Sequence, residues 1–124
     1  MNLVRAIARK AHRGLNLLLI VGTVVQFWAA GWAAFGQPFT IHALLGWSLL
    51  GGSILLFLFS ATGFGKDRIT LASASLVVVL ALQPVFVFVL SELSLVLTAM
   101  HPVNGLLALY LVLWMERRTH QVSV

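Results

Sequence analysis

Two histidines, His42 and His101, are the residues of this chain best suited to chemistry, because each stands near the start of a long apolar run. A polar ring held at membrane depth is costly, so an intramembrane ionisable group is a functional candidate by default. Each histidine is followed four residues later by glycine, in Ile41-His42-Ala43-Leu44-Leu45-Gly46 and in Met100-His101-Pro102-Val103-Asn104-Gly105. Residues i and i+4 share a helix face, so each imidazole is expected to have a patch without a side chain one turn deeper, at Gly46 and Gly105. Two opposed imidazoles on different helices, with close backbone approach between them, are what a haem iron with two axial histidines requires. The pattern predicts one bis-histidine b-type haem (haem b), with His42 and His101 as its metal ligands.

Other chemistries fit less well. Taken singly, a histidine in the first turn of a transmembrane helix reads as an interfacial group that reaches water, and glycines are common where helices pack. It is the matched pair on alternate helices that points to ligation. Magnesium also accepts an imidazole, so a chlorin pigment is an alternative, but it needs only one ligand. Zinc is disfavoured, since two histidines lack supporting carboxylates or thiolates. With no cysteine in the chain, disulfides, thiolate metal sites and cysteine nucleophiles are excluded. No Asp, Glu, Lys or Arg falls deep in an apolar run, which removes paired-carboxylate catalysis and argues against proton-driven transport.

Three amides accompany the histidines. Gln26 and Gln83 precede His42 and His101 by 16 and 18 residues, which reads as a weak duplication of one helical hairpin. Either they hydrogen-bond between helices as bundle glue, or they contact a cofactor or a quinone carbonyl. Asn104 is expected to bond the loosened first turn of its own helix or a haem propionate. Pro84, directly after Gln83, is expected to kink its helix and free the carbonyl of Leu80. His12 and His120 lie among arginines and are expected to be solvated; Tyr110, Met100 and Met115 are read as packing residues.

The elements that must position these groups are four apolar stretches of about 20 residues, the length that crosses a bilayer as a helix. They run from Gly14 to Phe35, Ile41 to Thr62, Ile69 to Leu90 and Leu97 to Met115. Composition agrees: 60% of the 124 residues are hydrophobic and only 9% charged, against about 25% in a soluble domain. Mean hydropathy is +1.02. The expected fold is all-α, a single transmembrane domain folded as a four-helix bundle. Short connections predict up-down-up-down order, which makes the second and fourth helices diagonal partners. The stripes expected to face the core are Gly22, Gln26 and Ala29; His42, Gly46, Leu49, Ser53 and Leu56; Leu76, Leu80 and Gln83; and His101, Gly105, Ala108, Val112 and Met115.

Orientation follows from the cations. Arg5, Arg9, Lys10 and Arg13 precede the first stretch, Lys66 and Arg68 follow the second, and Arg117 and Arg118 follow the fourth, which together make all 8 basic residues. Opposite connections hold only Glu92. Lysine and arginine gather on the cytoplasmic side, so both termini are expected there and both histidines near the outer face. A basic segment before an apolar run also opens a secretory signal, but this run exceeds the usual 7–15 residues and no small-x-small cleavage site ends it, so a retained first helix is expected. The segment bearing Leu3, Val4 and Ile7 reads as a short amphipathic helix on the inner leaflet. Trp28, Trp32 and Trp114 occupy interfacial belt positions, and Ser94 to Met100 is expected to lie partly along the outer interface. The cations sit at the ends of apolar runs and form no face with interleaved aromatics, so nucleic acid is excluded as a partner.

Val25-Gln26-Phe27, His42 with Gly46, Gln83-Pro84 and His101-Pro102-Val103-Asn104-Gly105 together resemble an uncharacterised family of small four-helix bacterial membrane proteins, over nearly the whole chain. More distantly, the architecture is similar to four-helix cytochrome b-type haem bundles and their quinone-linked relatives. The resemblance implies the bacterial cytoplasmic (inner) membrane. It also implies electron transfer through one outer haem, since a second histidine pair near the cytoplasmic end is missing. The expected function is therefore a haem-binding electron-transfer subunit, with His42 and His101 as ligands and Gly46, Gly105, Gln26, Gln83 and Asn104 around the cofactor. The alternative is a cofactor-free structural or assembly subunit of a larger membrane complex. Short loops favour other membrane subunits or a second copy of the chain as partners. Nothing in the pattern points to a stand-alone enzyme.

Overall fold

In a computed structural model, which describes residues 2–122, the chain is all-α, with no strand among the described residues. Helices α1 (Leu3–Ala34), α2 (Thr40–Phe64) and α3 (Arg68–Phe88) are each continuous. A 3-10 turn, Leu90–Glu92, leads into the short α4 (Leu95–Thr98) and then into α5 (Met100–Val122). Four helical stretches, with α4 and α5 counted as one, are long and apolar enough to cross a membrane, which marks a multi-pass protein housed in a lipid bilayer.

The boundaries differ from the expected ones mainly at the chain's two ends. Helix α1 begins at Leu3, capped by the Asn2 side chain accepting from the Val4 N–H at 3.1 Å. The expected separate amphipathic helix is thus the first turns of α1 itself. Nothing between Leu3 and Gly14 breaks a helix, and Ala8 and His12 bury one face of that segment against its neighbours. Likewise α5 runs through Met115 to Val122. Ala99 breaks the fourth stretch, and the apolar residues before it, Leu93, Leu95 and Val96, are among the most exposed of the chain.

Close backbone packing joins α1 to α2, α2 to α3, α3 to α5 and α5 to α1, with no such packing between α1 and α3 or between α2 and α5. The helices therefore stand in a ring, with α2 and α5 across the diagonal. Gly22 of α1 and Gly52 of α2 make room for each other's neighbours: a Cβ on either would stand 2.9 Å from a leucine methyl, of Leu49 and Leu19 respectively. Such small-residue contacts let helices approach where lipid offers no hydrophobic drive to associate.

Leu49, Leu56, Leu76, Leu80, Ala108, Val112 and Met115 of the expected stripes are buried together, joined by Leu19, Ala72 and Val79, which the stripes do not include. The buried serines are satisfied on their own helices: Ser53 donates to Leu50 O at 2.7 Å, Ser60 to Phe57 O at 2.9 Å and Ser73 to Ile69 O at 2.9 Å. In a medium without water this back-bonding spares each helix an unpaired polar group. Ser73 also meets Met115 Sδ at 3.2 Å.

Candidate functional site

Helices α2 and α5 each carry a histidine in their first turn, and the diagonal arrangement brings the two rings together. The centroids of His42 and His101 lie 6.0 Å apart, with ring planes inclined by 60°. His42 is buried and His101 half-buried. Phe39 covers His42 from the connecting segment, 4.8 Å between centroids.

Each imidazole is met by a glutamine of a neighbouring helix, through both ring nitrogens at His42 and through Nδ1 alone at His101. The Gln26 amide donates to the His42 carbonyl at 3.0 Å and meets His42 Nε2 at 3.3 Å, while His42 Nδ1 lies 3.3 Å from the Gln26 backbone carbonyl. One tautomer satisfies all three contacts: Nδ1–H donates to the carbonyl and Nε2 accepts from the amide. The Gln83 carboxamide is satisfied when its nitrogen faces His101 Nδ1 at 2.6 Å and the His101 carbonyl at 3.1 Å, and its oxygen accepts from Gly105 N–H at 3.0 Å. His101 Nδ1 is also 3.3 Å from the Gln83 backbone carbonyl. The two glutamines thus act as interhelical glue, joining α1 to α2 and α3 to α5. The oxygen of Gln26, Oε1, is buried with no hydrogen-bond partner among the described residues.

The glycines border the space beneath the rings, and neighbouring side chains take part of it. A Cβ on Gly46 would stand 3.2 Å from Gln26 Nε2, and one on Gly105 would stand 3.4 Å from Phe27 Cζ and 3.5 Å from the Gln83 carboxamide. Each glycine gives a neighbouring carboxamide its seat, and Gly105 gives one to the Phe27 ring as well. Asn104 reaches a neighbouring helix. It is buried and donates to Val79 O on α3 at 2.6 Å, not to the first turn of its own helix. That carbonyl adjoins Leu80, whose own carbonyl loses its helical donor at Pro84.

Between the four helices at this level lies a mostly apolar cavity of about 150 Å³, walled by Gln26, His42, Gly46, Gln83, His101 and Gly105 among others. A haem asks two donors of the protein, and the histidines supply that number. With metal–nitrogen bonds of ~2 Å and two ring radii between them, a pair of imidazoles on one metal stands roughly 6 Å apart, as these do. No group of three or more His, Cys, Asp or Glu gathers among the described residues, so a bare ion would find too few ligands here. Ligation of a haem iron requires each imidazole lone pair to leave its glutamine amide.

The opposite end holds polar residues that sequence reasoning placed elsewhere. His12, expected in water, is fully buried, edge-on to Phe64 with centroids 5.2 Å apart. Neither of its ring nitrogens has a hydrogen-bond partner among the described residues. Asn16, equally buried, donates to Val112 O at 3.0 Å and Glu116 Oε2 at 3.1 Å. Glu116 also pairs with Arg13 at 3.5 Å and His120 at 3.1 Å, and His120 is exposed as expected. Arg9 donates to Gly63 O at 2.9 Å and lies over the Phe64 ring. The signal for His12 and Asn16 was their i, i+4 spacing on the face that continues to Leu19 and Thr23.

No protein family, curated protein or solved structure matches this chain, so kinship with the small four-helix bacterial family or with the cytochrome b bundles is not shown; it is a small all-helical protein with four stretches apolar enough to span a membrane.

Proposed function

We propose that this protein is a membrane-embedded electron-transfer subunit that binds one b-type haem between His42 and His101. The observation that supports this reading is the meeting of two imidazoles from diagonal helices at 6.0 Å, beside a cavity that both line. When bound, a haem would supply a one-electron redox couple whose potential follows its axial ligands and its surroundings. The chain's own part is to hold two neutral rings in place, through Gln26 and Gln83, and to keep the site apolar. In this reading the bundle runs up-down-up-down in the bacterial cytoplasmic membrane. The contacts of the α1 start with the ends of α2 and α5 support that order. Both termini would then be cytoplasmic and the histidines near the outer face, with other membrane subunits or a second copy as partners.

A second reading is a cofactor-free structural or assembly subunit. It is favoured by the way the carboxamides of Gln26 and Gln83 close the site on itself. One measurement separates the two. The purified protein should show a Soret band that sharpens, with α and β bands, on reduction by dithionite, and His42→Ala or His101→Ala should abolish it. A folded, colourless protein would select the structural reading. Orientation is checked separately, because the chain has no cysteine of its own. An impermeant maleimide should label Gln37→Cys from the outside of the membrane and Lys66→Cys only from the cytoplasmic side.

A further inference from the structure

A second concave surface lies at the α2–α3 hairpin. Phe57 and Ala61 of α2 face Leu71 and Ala74 of α3 across an open groove of about 640 Å³, and the turn Gly65–Arg68 closes its end. Ala61 and Ala74 are small, and the space between the helices is theirs. The groove is graded along its length, apolar towards the middle of the bundle and cationic at the turn, where Lys66 and Arg68 are exposed. The intervening Asp67 is committed to α3: its carboxylate accepts from the Ile69 N–H at 2.9 Å. On the groove wall, the Thr70 hydroxyl is shielded from water and has no hydrogen-bond partner among the described residues.

We propose that this groove is a binding site for an anionic phospholipid, with the phosphate on Lys66 and Arg68 and one acyl chain along Phe57, Ala61, Leu71 and Ala74. Charge selects the occupant. The chain carries 8 cationic side chains against 3 acidic ones, and a zwitterionic headgroup would bring a cation of its own towards Lys66 and Arg68. Basic pockets between transmembrane helices hold anionic headgroups for this reason. The proposal rests on the helices crossing a membrane and makes no use of the haem.

Native mass spectrometry of the full chain in mild detergent tests it, with phosphatidylglycerol and phosphatidylcholine of identical acyl chains offered in equal amounts. Phosphatidylglycerol adducts should dominate roughly tenfold, since each surface cation adds a few-fold affinity for anionic lipid. Lys66→Gln with Arg68→Gln should remove that preference, whereas Arg117→Gln with Arg118→Gln, an equal loss of charge, should keep it. Ala74→Trp should fill the groove and lower retention with both cations intact. Unchanged preference in the first double variant, or equal loss in the second, overturns the site. If the first double variant does not fold, Ala74→Trp decides, and full lipid retention there overturns the site too. Lipid adducts are read whether or not the protein is coloured, so this result stands apart from the absorption spectrum.

Discussion

The two ends of the bundle bury histidines in opposite ways. At the His42–His101 end the rings come from helices whose backbones do not pack closely, meet each other across the axis and border a cavity. Their nitrogens are met by carboxamides on rotatable arms. At the other end His12 is enclosed by packing, and its neighbour Asn16 ties α1 to α5 through a backbone carbonyl and a carboxylate. Burial alone therefore does not mark a functional histidine. What distinguishes the first end is convergence with a second ring, adjoining space, and polar partners that can be exchanged for a ligand.

The largest expected effect tests that distinction directly. His42→Ala and His101→Ala should each lower haem absorbance more than tenfold, while His12→Leu should leave it unchanged. Replacing a buried ring that makes no hydrogen bonds with an apolar side chain is expected to be neutral or to stabilise by up to ~1 kcal/mol. Bleaching by His12→Leu, measured on protein of equal helicity, would erase the contrast between the ends.

Next in size are two changes at the closely packed end. A Cβ on Gly63 would stand 3.0 Å from Arg9 Cγ and 3.2 Å from the Arg9 backbone nitrogen. Because backbone cannot swing aside, Gly63→Ala should cost about 2 kcal/mol, in the range of other overpacking changes. Asn16→Ala removes the interhelical donor to the Val112 carbonyl and to Glu116 Oε2, while Glu116 keeps Arg13 and His120. Interhelical hydrogen bonds in membranes contribute about 0.6 kcal/mol and at most about 1.7, so a loss near the upper value is expected, read as equilibrium unfolding in mixed micelles.

Much of this was legible in the sequence, and the failures have physical causes. The four stretches were visible because lipid demands long apolar runs, and the core stripes because the 3.6-residue period fixes which residues share a face. Leu56, Val112 and Met115 lie where that period puts them. His42 and His101 could be paired from helix order alone. The seats beneath them could not, because i, i+4 spacing shows where a side chain is missing and not which neighbour moves in. Gln26 and Gln83 fill those seats from helices whose register is a tertiary fact. His12 was misplaced for a related reason. Lys10 and Arg13 beside it are exposed, and Arg9 packs over the same Phe64 ring as His12, so local charge said nothing about the face that His12 itself shares with Ala8 and Asn16.

The smallest expected change is the sharpest probe of the first end. The nearest atom to a Cβ on Gly46 is Gln26 Nε2 at 3.2 Å, the far end of a flexible side chain. Gly46→Ala should therefore cost less than ~1 kcal/mol, and the better helix propensity of alanine would offset part of that. Its effect on the site should be out of proportion to its effect on stability. The added methyl pushes the carboxamide off His42, while the equivalent seat at Gly105 is bounded by the Phe27 ring as well as by Gln83. If the carboxamides hold the rings for a ligand, Gly46→Ala should weaken haem retention several-fold with an unchanged melting temperature. If they hold only the helices, retention and melting should shift together, and the His42 end would differ from the His12 end in shape but not in purpose.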